Sequence, residues 1–161
     1  MANQGVGSVS LPPPPLHGGC QCGACRYEIA AAPLFGYVCH CLECRRHTSS
    51  AFSASILVRT DALKAMGPIS VWVRENANGP PLEAHFCAAC GVRLFHHSVP
   101  KGPLVRVKAG TLDDADWFSP AAEYFTKRRF AWVSPAGEAV QCVEADAAGA
   151  DPMSVWRRLT A

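Results

Sequence analysis

Seven of the nine cysteines fall into three short clusters: Cys20-Gln21-Cys22 between glycines, Cys39-His40-Cys41-Leu42-Glu43-Cys44, and Cys87-Ala88-Ala89-Cys90-Gly91. Thiols at C-x-C and C-x-x-C spacing offer several soft ligands to one ion, and zinc, a d10 ion that takes four of them, is the expected guest. The simplest pairing joins Cys20 and Cys22 to Cys87 and Cys90, which makes a closed structural site. Two ligand-spaced pairs with flanking glycine argue against the plainer reading of buried, unligated thiols. Cys39, Cys41 and Cys44 then supply three ligands and leave a fourth position for water or a substrate sulfur, the arrangement of catalytic zinc. The competing reading closes that site with His40, His47 or Cys25; His40 is the least suited, because ligands adjacent in sequence are strained. Cys25 reads most simply as a small buried hydrophobe, with a spare ligand or a redox-sensitive thiol as alternatives, and Cys142 has no motif around it.

Three thiolates offset the charge of the ion, so the trio would make a soft Lewis acid better suited to sulfur exchange than to water activation. Such chemistry needs a proton carrier. Glu123 and His47 are the candidate catalytic residues, with His96, His97 and Asp113 behind them; adjacent histidines beside a strand are more often surface or core filler. Arg45, Arg46 and Lys108 could anchor an anionic substrate, against the alternative of a solvated basic face.

The elements that must position these groups read mainly as strands. The chain has 161 residues, is 49% apolar and carries a formal charge of +2, which suits one ordered domain over 17–161 behind a proline-rich, disordered tail at 1–16. Strands are expected at Arg26–Ile29, Leu34–Val38, Ala51–Arg59, Ile69–Arg74, Leu82–Phe86, Arg93–Val99, Leu104–Ala109 and Tyr124–Lys127, with short helices at Leu63–Met66 and Met153–Leu159. The sheet should be mainly antiparallel, without a repeat or a second domain. No apolar run is long enough to span a membrane, and the N-terminus lacks a signal pattern; a reducing cytoplasm, where clustered cysteines bind metal instead of pairing, is the expected compartment. The run Lys127-Arg128-Arg129 between Phe125 and Phe130 is a short basic-aromatic patch, but so small a net charge disfavours nucleic acid as a partner.

Taken together, Gly18-Gly19-Cys20-Gln21-Cys22-Gly23, Cys39-His40-Cys41-Leu42-Glu43-Cys44-Arg45, Phe86-Cys87-Ala88-Ala89-Cys90-Gly91-Val92-Arg93-Leu94 and Val107-Lys108-Ala109-Gly110-Thr111-Leu112-Asp113-Asp114 resemble, in content and order, the GFA family of glutathione-dependent formaldehyde-activating enzymes and centromere protein V-like proteins. The resemblance covers roughly 17–133. It implies a β-tent fold of coiled antiparallel sheets stapled by zinc, with a structural zinc on Cys20, Cys22, Cys87 and Cys90 and a looser catalytic zinc on Cys39, Cys41 and Cys44. It also implies carbon–sulfur lyase chemistry on a glutathione adduct of formaldehyde. The alternatives are a zinc Lewis-acid isomerase or dehydratase with Glu123 as base, and a non-catalytic zinc module binding nucleic acid or protein. A homo-oligomer is compatible with all three. Two departures stand out: family members often carry glycine where this chain has Ser49 and Ser50, and many carry histidine where it has Glu123.

Overall fold

The computed structural model describes residues 10–76, 79–145 and 151–161. In chain order the elements are β1 (Leu16–Gly19), β2 (Arg26–Ile29), β3 (Phe35–Cys39), α1 (Leu42–Thr48), β4 (Ser53–Arg59), β5 (Leu63–Met66), β6 (Ile69–Arg74), β7 (Leu82–Cys87), β8 (Arg93–Ser98), β9 (Leu104–Lys108), β10 (Ala122–Tyr124), β11 (Val140–Gln141) and α2 (Pro152–Leu159). Eleven strands in two sheets and two short helices make the described chain mainly β, as its sequence implies. Of the expected tail at 1–16, residues 1–9 lie outside the described residues, and Leu16 is buried and opens β1. No helix among the described residues is long and apolar enough to cross a membrane.

The packing divides into two compact units, one built on Phe35–Ala54 and Trp117–Ala161 and the other on Pro12–Leu34 and Ser55–Asp116. In the second unit β1, β2 and β5 form a three-stranded antiparallel sheet, and β4, β9, β8, β7 and β6 lie side by side in that order, each antiparallel to its neighbour. Period-two alternation sets the register: Ile56 pairs with Val107 and Val58 with Val105, all four fully buried, while the intervening Leu57 and Arg106 are half-buried. Each such branched side chain stabilises the sheet by roughly 1.5–3 kcal/mol over leaving it in water.

Leu63–Met66 is a strand and not the expected helix. It pairs with β2 along its whole length, and Leu63 and Ala65 are more buried than Lys64 and Met66; four residues are too few to separate a period of two from one of 3.6. The turn after it depends on Gly67, whose φ is +106° and where an added Cβ would meet the Ala24 carbonyl oxygen at 2.2 Å.

In the first unit β10 runs parallel to β3 on one side and to β11 on the other, a departure from all-antiparallel pairing, with Ala122 opposite Tyr37 and Tyr124 opposite Cys39. The strand expected at Tyr124–Lys127 stops at Tyr124, because Phe125 turns into the left-handed region at φ +58° and a 3-10 turn follows at Thr126–Arg128. Helix α2 is capped by the Asp151 carboxylate, which accepts from the Met153 amide at 3.0 Å, and Pro152 occupies its first position. It buries Val155, Trp156 and Leu159, with the Trp156 ring directly over Gly36 of β3, where a Cβ would come within 2.6 Å of the indole. Helix α1 was not legible in the sequence: it has seven residues and none of them is buried, so it presents no apolar stripe.

Candidate functional site

Cys20 follows β1, Cys22 lies in the turn that leads to β2, Cys87 ends β7 and Cys90 lies in the turn to β8. The fold gathers these four distant thiols so that their sulfurs lie within 4.8 Å of one another, with Cys20 and Cys22 at 3.5 Å and Cys22 and Cys87 at 3.8 Å. Both turns need glycine: Gly23 and Gly91 have φ of +79° and +73°, and their amides reach back to the carbonyls of Cys20 and Cys87. The Cys25 amide donates to Cys20 Sγ at 3.2 Å, and this bond is the main reason the Cys20 thiol is drawn down to about 6. The Val92 amide likewise lowers Cys90, whereas Cys22, despite the Ala24 amide, is raised to about 12 by the protons it shares with Cys20 and Cys90. An all-sulfur set at this separation fits zinc or another soft ion. Cys25 itself is fully buried and outside that group, and burial pushes its thiol up to about 12.

The second cluster belongs to the first unit. β3 ends at Cys39, the His40 amide donates to the Tyr124 carbonyl at 2.9 Å, and the chain turns into α1 with Cys41 as its cap. Cys41 Sγ accepts from the Cys44 amide at 3.3 Å, so the thiol that precedes the helix and the thiol in its first turn are brought together by ordinary capping geometry. The sulfurs of Cys39, Cys41 and Cys44 lie within 4.8 Å of one another, and no further histidine, cysteine or carboxylate joins the group among the described residues. Shared hydrogen bonds to Cys41 and Cys44, followed by burial, push Cys39 far up, while the bonds of Cys41 to Cys39 and Cys44 pull Cys41 far down. A thiolate held between protonated neighbours is the state a metal ion replaces when it displaces their protons.

His40, the residue between the first two thiols, is fully buried, and so is Glu123 on the adjacent strand β10. His40 Nε2 lies 2.9 Å from Glu123 Oε2. The carboxylate is saturated: the Ala136 amide donates to Oε1, and Arg129 Nη1 reaches Oε2 at 3.2 Å. Burial works to raise the Glu123 pKa, but the bonds from Ala136, His40, Gln141 and Arg129 outweigh it and hold the group below the usual carboxylate value. An ionised carboxylate has no proton to give, so Nε2 is the donor in this contact, while Nδ1 is buried and has no hydrogen-bond partner among the described residues. The His40 ring also meets Phe52 edge-on at 5.5 Å. The His40–Glu123 contact spans 83 residues and depends on the parallel β3–β10 pairing, so no local sequence signal announces it. His47 lies in the last turn of α1, three residues beyond Cys44 and half-buried.

A surface cleft of about 580 Å³ in the same unit is lined by Leu42, Arg45, Arg46, Ser49, Ser50, Ala51 and Phe130. It contains both arginines singled out in the sequence. The Arg45 guanidinium lies 3.6 Å from the centroid of the Phe130 ring and donates to the Arg128 carbonyl at 3.2 Å, and Phe130 in turn stacks with the exposed Trp132. Ser49 caps the helix in the left-handed region at φ +49°.

The remaining candidates lie in the other unit. Lys108 is buried on β9 with Nζ 3.2 Å from Ser55 Oγ, and the cleft lining does not include it. Asp113 forms a two-pronged ion pair with Arg26, which holds its carboxyl low. Together with the Tyr27 hydroxyl on Thr111 Oγ1 at 2.8 Å and the Asp113 amide on the His17 carbonyl, that pair ties the Gly110–Asp113 motif to β1 and β2. His96 and His97 are buried on β8, both with Nδ1 unpartnered among the described residues, and burial is the main cause lowering each pKa. In the basic run, Lys127 pairs with Glu144 and Arg129 with Glu123, which spends most of its charge within the protein.

This chain is similar to a Rhodobacter sphaeroides protein of known crystal structure, with a TM-score of 0.49 and 20% identity, over 61% of this chain and 88% of that one. The profile of the family described as glutathione-dependent formaldehyde-activating enzyme matches residues 15–128, well over half of the chain and inclusive of all seven clustered cysteines. The chain therefore belongs to the GFA family.

Proposed function

We propose that this protein is a zinc-dependent carbon–sulfur lyase that makes and breaks the adduct of a thiol with a small carbonyl compound, as in S-hydroxymethylglutathione from glutathione and formaldehyde. The observation that carries this reading is the group formed by Cys39, Cys41 and Cys44, three sulfurs within mutual reach with no fourth ligand beside them among the described residues. Zinc held there would supply a soft Lewis acid with a coordination position to spare, and a second zinc on Cys20, Cys22, Cys87 and Cys90 would serve the fold. In the addition direction the thiol loses its proton, its sulfur forms the bond to the carbonyl carbon, and the carbonyl π pair moves to oxygen, which takes up a proton. Cleavage runs the same changes backwards.

The chain's own groups divide this work. Glu123 has both oxygens engaged, so its part is to hold His40 with the proton on Nε2; His40 Nδ1 is then the buried acceptor atom next to the thiol loop. His47 is the second candidate carrier, and comparison of His40→Ala with His47→Ala in turnover decides between them. Arg45 and Arg46 provide positive charge on α1, while Lys108 is engaged with Ser55 in the other unit.

Metal analysis of the purified protein tests the reading. Two zinc ions per chain are expected, one released by mild chelation together with all activity. Cys44→Ser should remain folded and lose turnover, whereas Cys87→Ser should lose the fold. Equal, tight retention of both ions, or full turnover by Cys44→Ser, would refute it.

A further inference from the structure

Strand β6 ends its sheet, and only β7 pairs with it. We propose that this edge is a homodimer interface: β6 pairs antiparallel with β6 of a second copy of this chain about a two-fold axis at Trp72, so that the sheet continues from one copy into the other. The proposal is independent of the chemistry assigned to the thiols.

The direction of the backbone groups follows from the ladder. The Ala88 amide donates to the Pro68 carbonyl at 2.8 Å, which makes 68 and 88 a hydrogen-bonded pair in the β6–β7 register that runs from Ile69 with Cys87 to Arg74 with Leu82. Such pairs alternate along an antiparallel ladder, so Ser70, Trp72 and Arg74 are the residues of β6 that bond to β7. The far side of β7 agrees: the Cys87 amide donates to the Val92 carbonyl and the Val99 amide to the Pro81 carbonyl, which turns the odd-numbered residues of β7 towards β8. The amides and carbonyls of Val71 and Val73 therefore point out of the sheet edge, and neither residue makes a backbone bond outside its strand pairing among the described residues.

This edge has none of the features that keep strands apart. Between Ile69 and Arg74 there is no proline and no lysine, and the pairing with β7 runs without a register shift. Val71, Trp72 and Val73 are 49%, 52% and 52% exposed, although successive side chains of a strand point to opposite faces. Apolar groups on both faces beside an open row of amides and carbonyls are what an added strand covers.

The symmetry of the sequence identifies that strand as a second β6. With the axis at Trp72, Val71 of each copy meets Val73 of the other, and the outward groups of these residues form reciprocal amide-to-carbonyl bonds. Trp72 meets its own copy in the closer, non-hydrogen-bonded kind of pair, where large rings pack across strands, and the long Arg74 lies opposite the short Ser70. An axis at Val71 would need the Ile69 amide, which is already bonded to the Gly67 carbonyl at 2.9 Å. An axis at Val73 would set Val71 against Glu75 and separate the two indoles. Each copy contributes one strand of six residues, a smaller contact than the about 800 Å² per partner of a standard interface, so the dimer should be weak and concentration-dependent.

Sedimentation equilibrium of the zinc-loaded protein from about 1 μM to about 1 mM is the test. The expected result is a shift from monomer to dimer mass with no further growth. Val73→Pro removes an outward amide without touching a β6–β7 bond, so the variant should fold and its dimer should be at least about tenfold weaker. Trp72→Lys and Trp72→Glu each set like charges across the axis and should be monomeric, but an equimolar mixture of the two should dimerise again, because a two-fold at that residue places opposite charges together. Circular dichroism establishes that each variant is folded. A native chain that stays monomeric throughout would overturn the self-pairing and assign the edge to a strand of another protein. Open-ended growth, a dimer unchanged by Val73→Pro, or a mixture of folded Trp72 variants that stays monomeric would overturn it equally.

Discussion

Glu123→Gln is the most informative single change, because it keeps the shape of a buried side chain while removing its charge. In the native protein the carboxylate accepts from the Ala136 amide, His40 Nε2 and Arg129 Nη1. The Gln oxygen can keep the Ala136 bond, but the new NH2 group then faces two donors. His40 must move its proton to Nδ1 so that Nε2 can accept, and Arg129, only partly buried, loses its ion pair while keeping its bond to Gln141 Oε1 at 2.6 Å. Weakening the amide bond, shifting the tautomer and losing the partly exposed ion pair cost about 1 kcal/mol each, so Glu123→Gln should destabilise the protein by about 3 kcal/mol. Glu123→Ala should be worse, at about 5 kcal/mol, since it leaves the His40 and Ala136 donors buried and unpaired and opens a cavity. Urea denaturation of the zinc-loaded proteins gives the free energies, and 15N spectra of the histidine rings report the tautomer. Turnover of Glu123→Gln should fall by far more than its stability explains, because Nδ1 can no longer accept a proton. A variant within about 0.5 kcal/mol of native stability whose His40 still carries its proton on Nε2 would refute this account.

Ser49→Gly removes the strain of a left-handed non-glycine cap and should stabilise the protein by about 0.5–1 kcal/mol, raising Tm by a few degrees in calorimetry; a lower Tm would mean that the Ser49 side chain contributes more than its backbone costs. Gly91→Ala meets no atom within 4 Å, so its penalty should come from positive φ alone, about 1 kcal/mol in urea titration; a loss several times larger would point to the four-thiol turn instead. His97 titrates at about 4 in the fold, drawn down by burial and then by His85 and Lys101, with Glu83 acting in the opposite sense. Below pH 6.5 the unfolded chain takes up the proton more readily, so stability is lost as pH falls from 6.5 towards 4, by at most about 3 kcal/mol from this group. His97→Gln should flatten that slope relative to the native protein in parallel denaturation series, and an unchanged slope would remove His97 from the explanation.

How much the sequence discloses depends on the range of the interaction concerned. β2 and β6 are found where alternation and turn residues put them, and α2 begins one residue early, because Asp151 and Pro152 cap it locally. The two thiol groups are also legible, since soft ligands at fixed spacing constrain geometry almost independently of the fold. What fails is either too short or too distant. β5 has four residues and is a strand only because β2 lies beside it. Helix α1 buries no residue and leaves no periodic trace. Glu123 is a conspicuous carboxylate in the sequence, but its partner His40 is supplied by a parallel pairing across 83 residues, and the same pairing engages the carboxylate with that ring.

The two thiol groups also differ in how the backbone builds them, and the difference bears on their chemistry. The four-thiol set closes two tight glycine turns in an antiparallel framework, where amides from Cys25 and Val92 are aimed at Cys20 and Cys90 and the ligand count is complete. Losing one sulfur there opens turns that carry β1, β2, β7 and β8, so the cost falls on the fold. The three-thiol set lies where a strand becomes a helix, with the Cys41 cap bond helping to hold the second sulfur near the third, and its histidine neighbour is fixed separately by Glu123. Losing Cys44 there removes one residue of a helix that buries nothing. The fold can therefore tolerate change at the trio and not at the quartet, as it should if only the trio exchanges ligands during turnover.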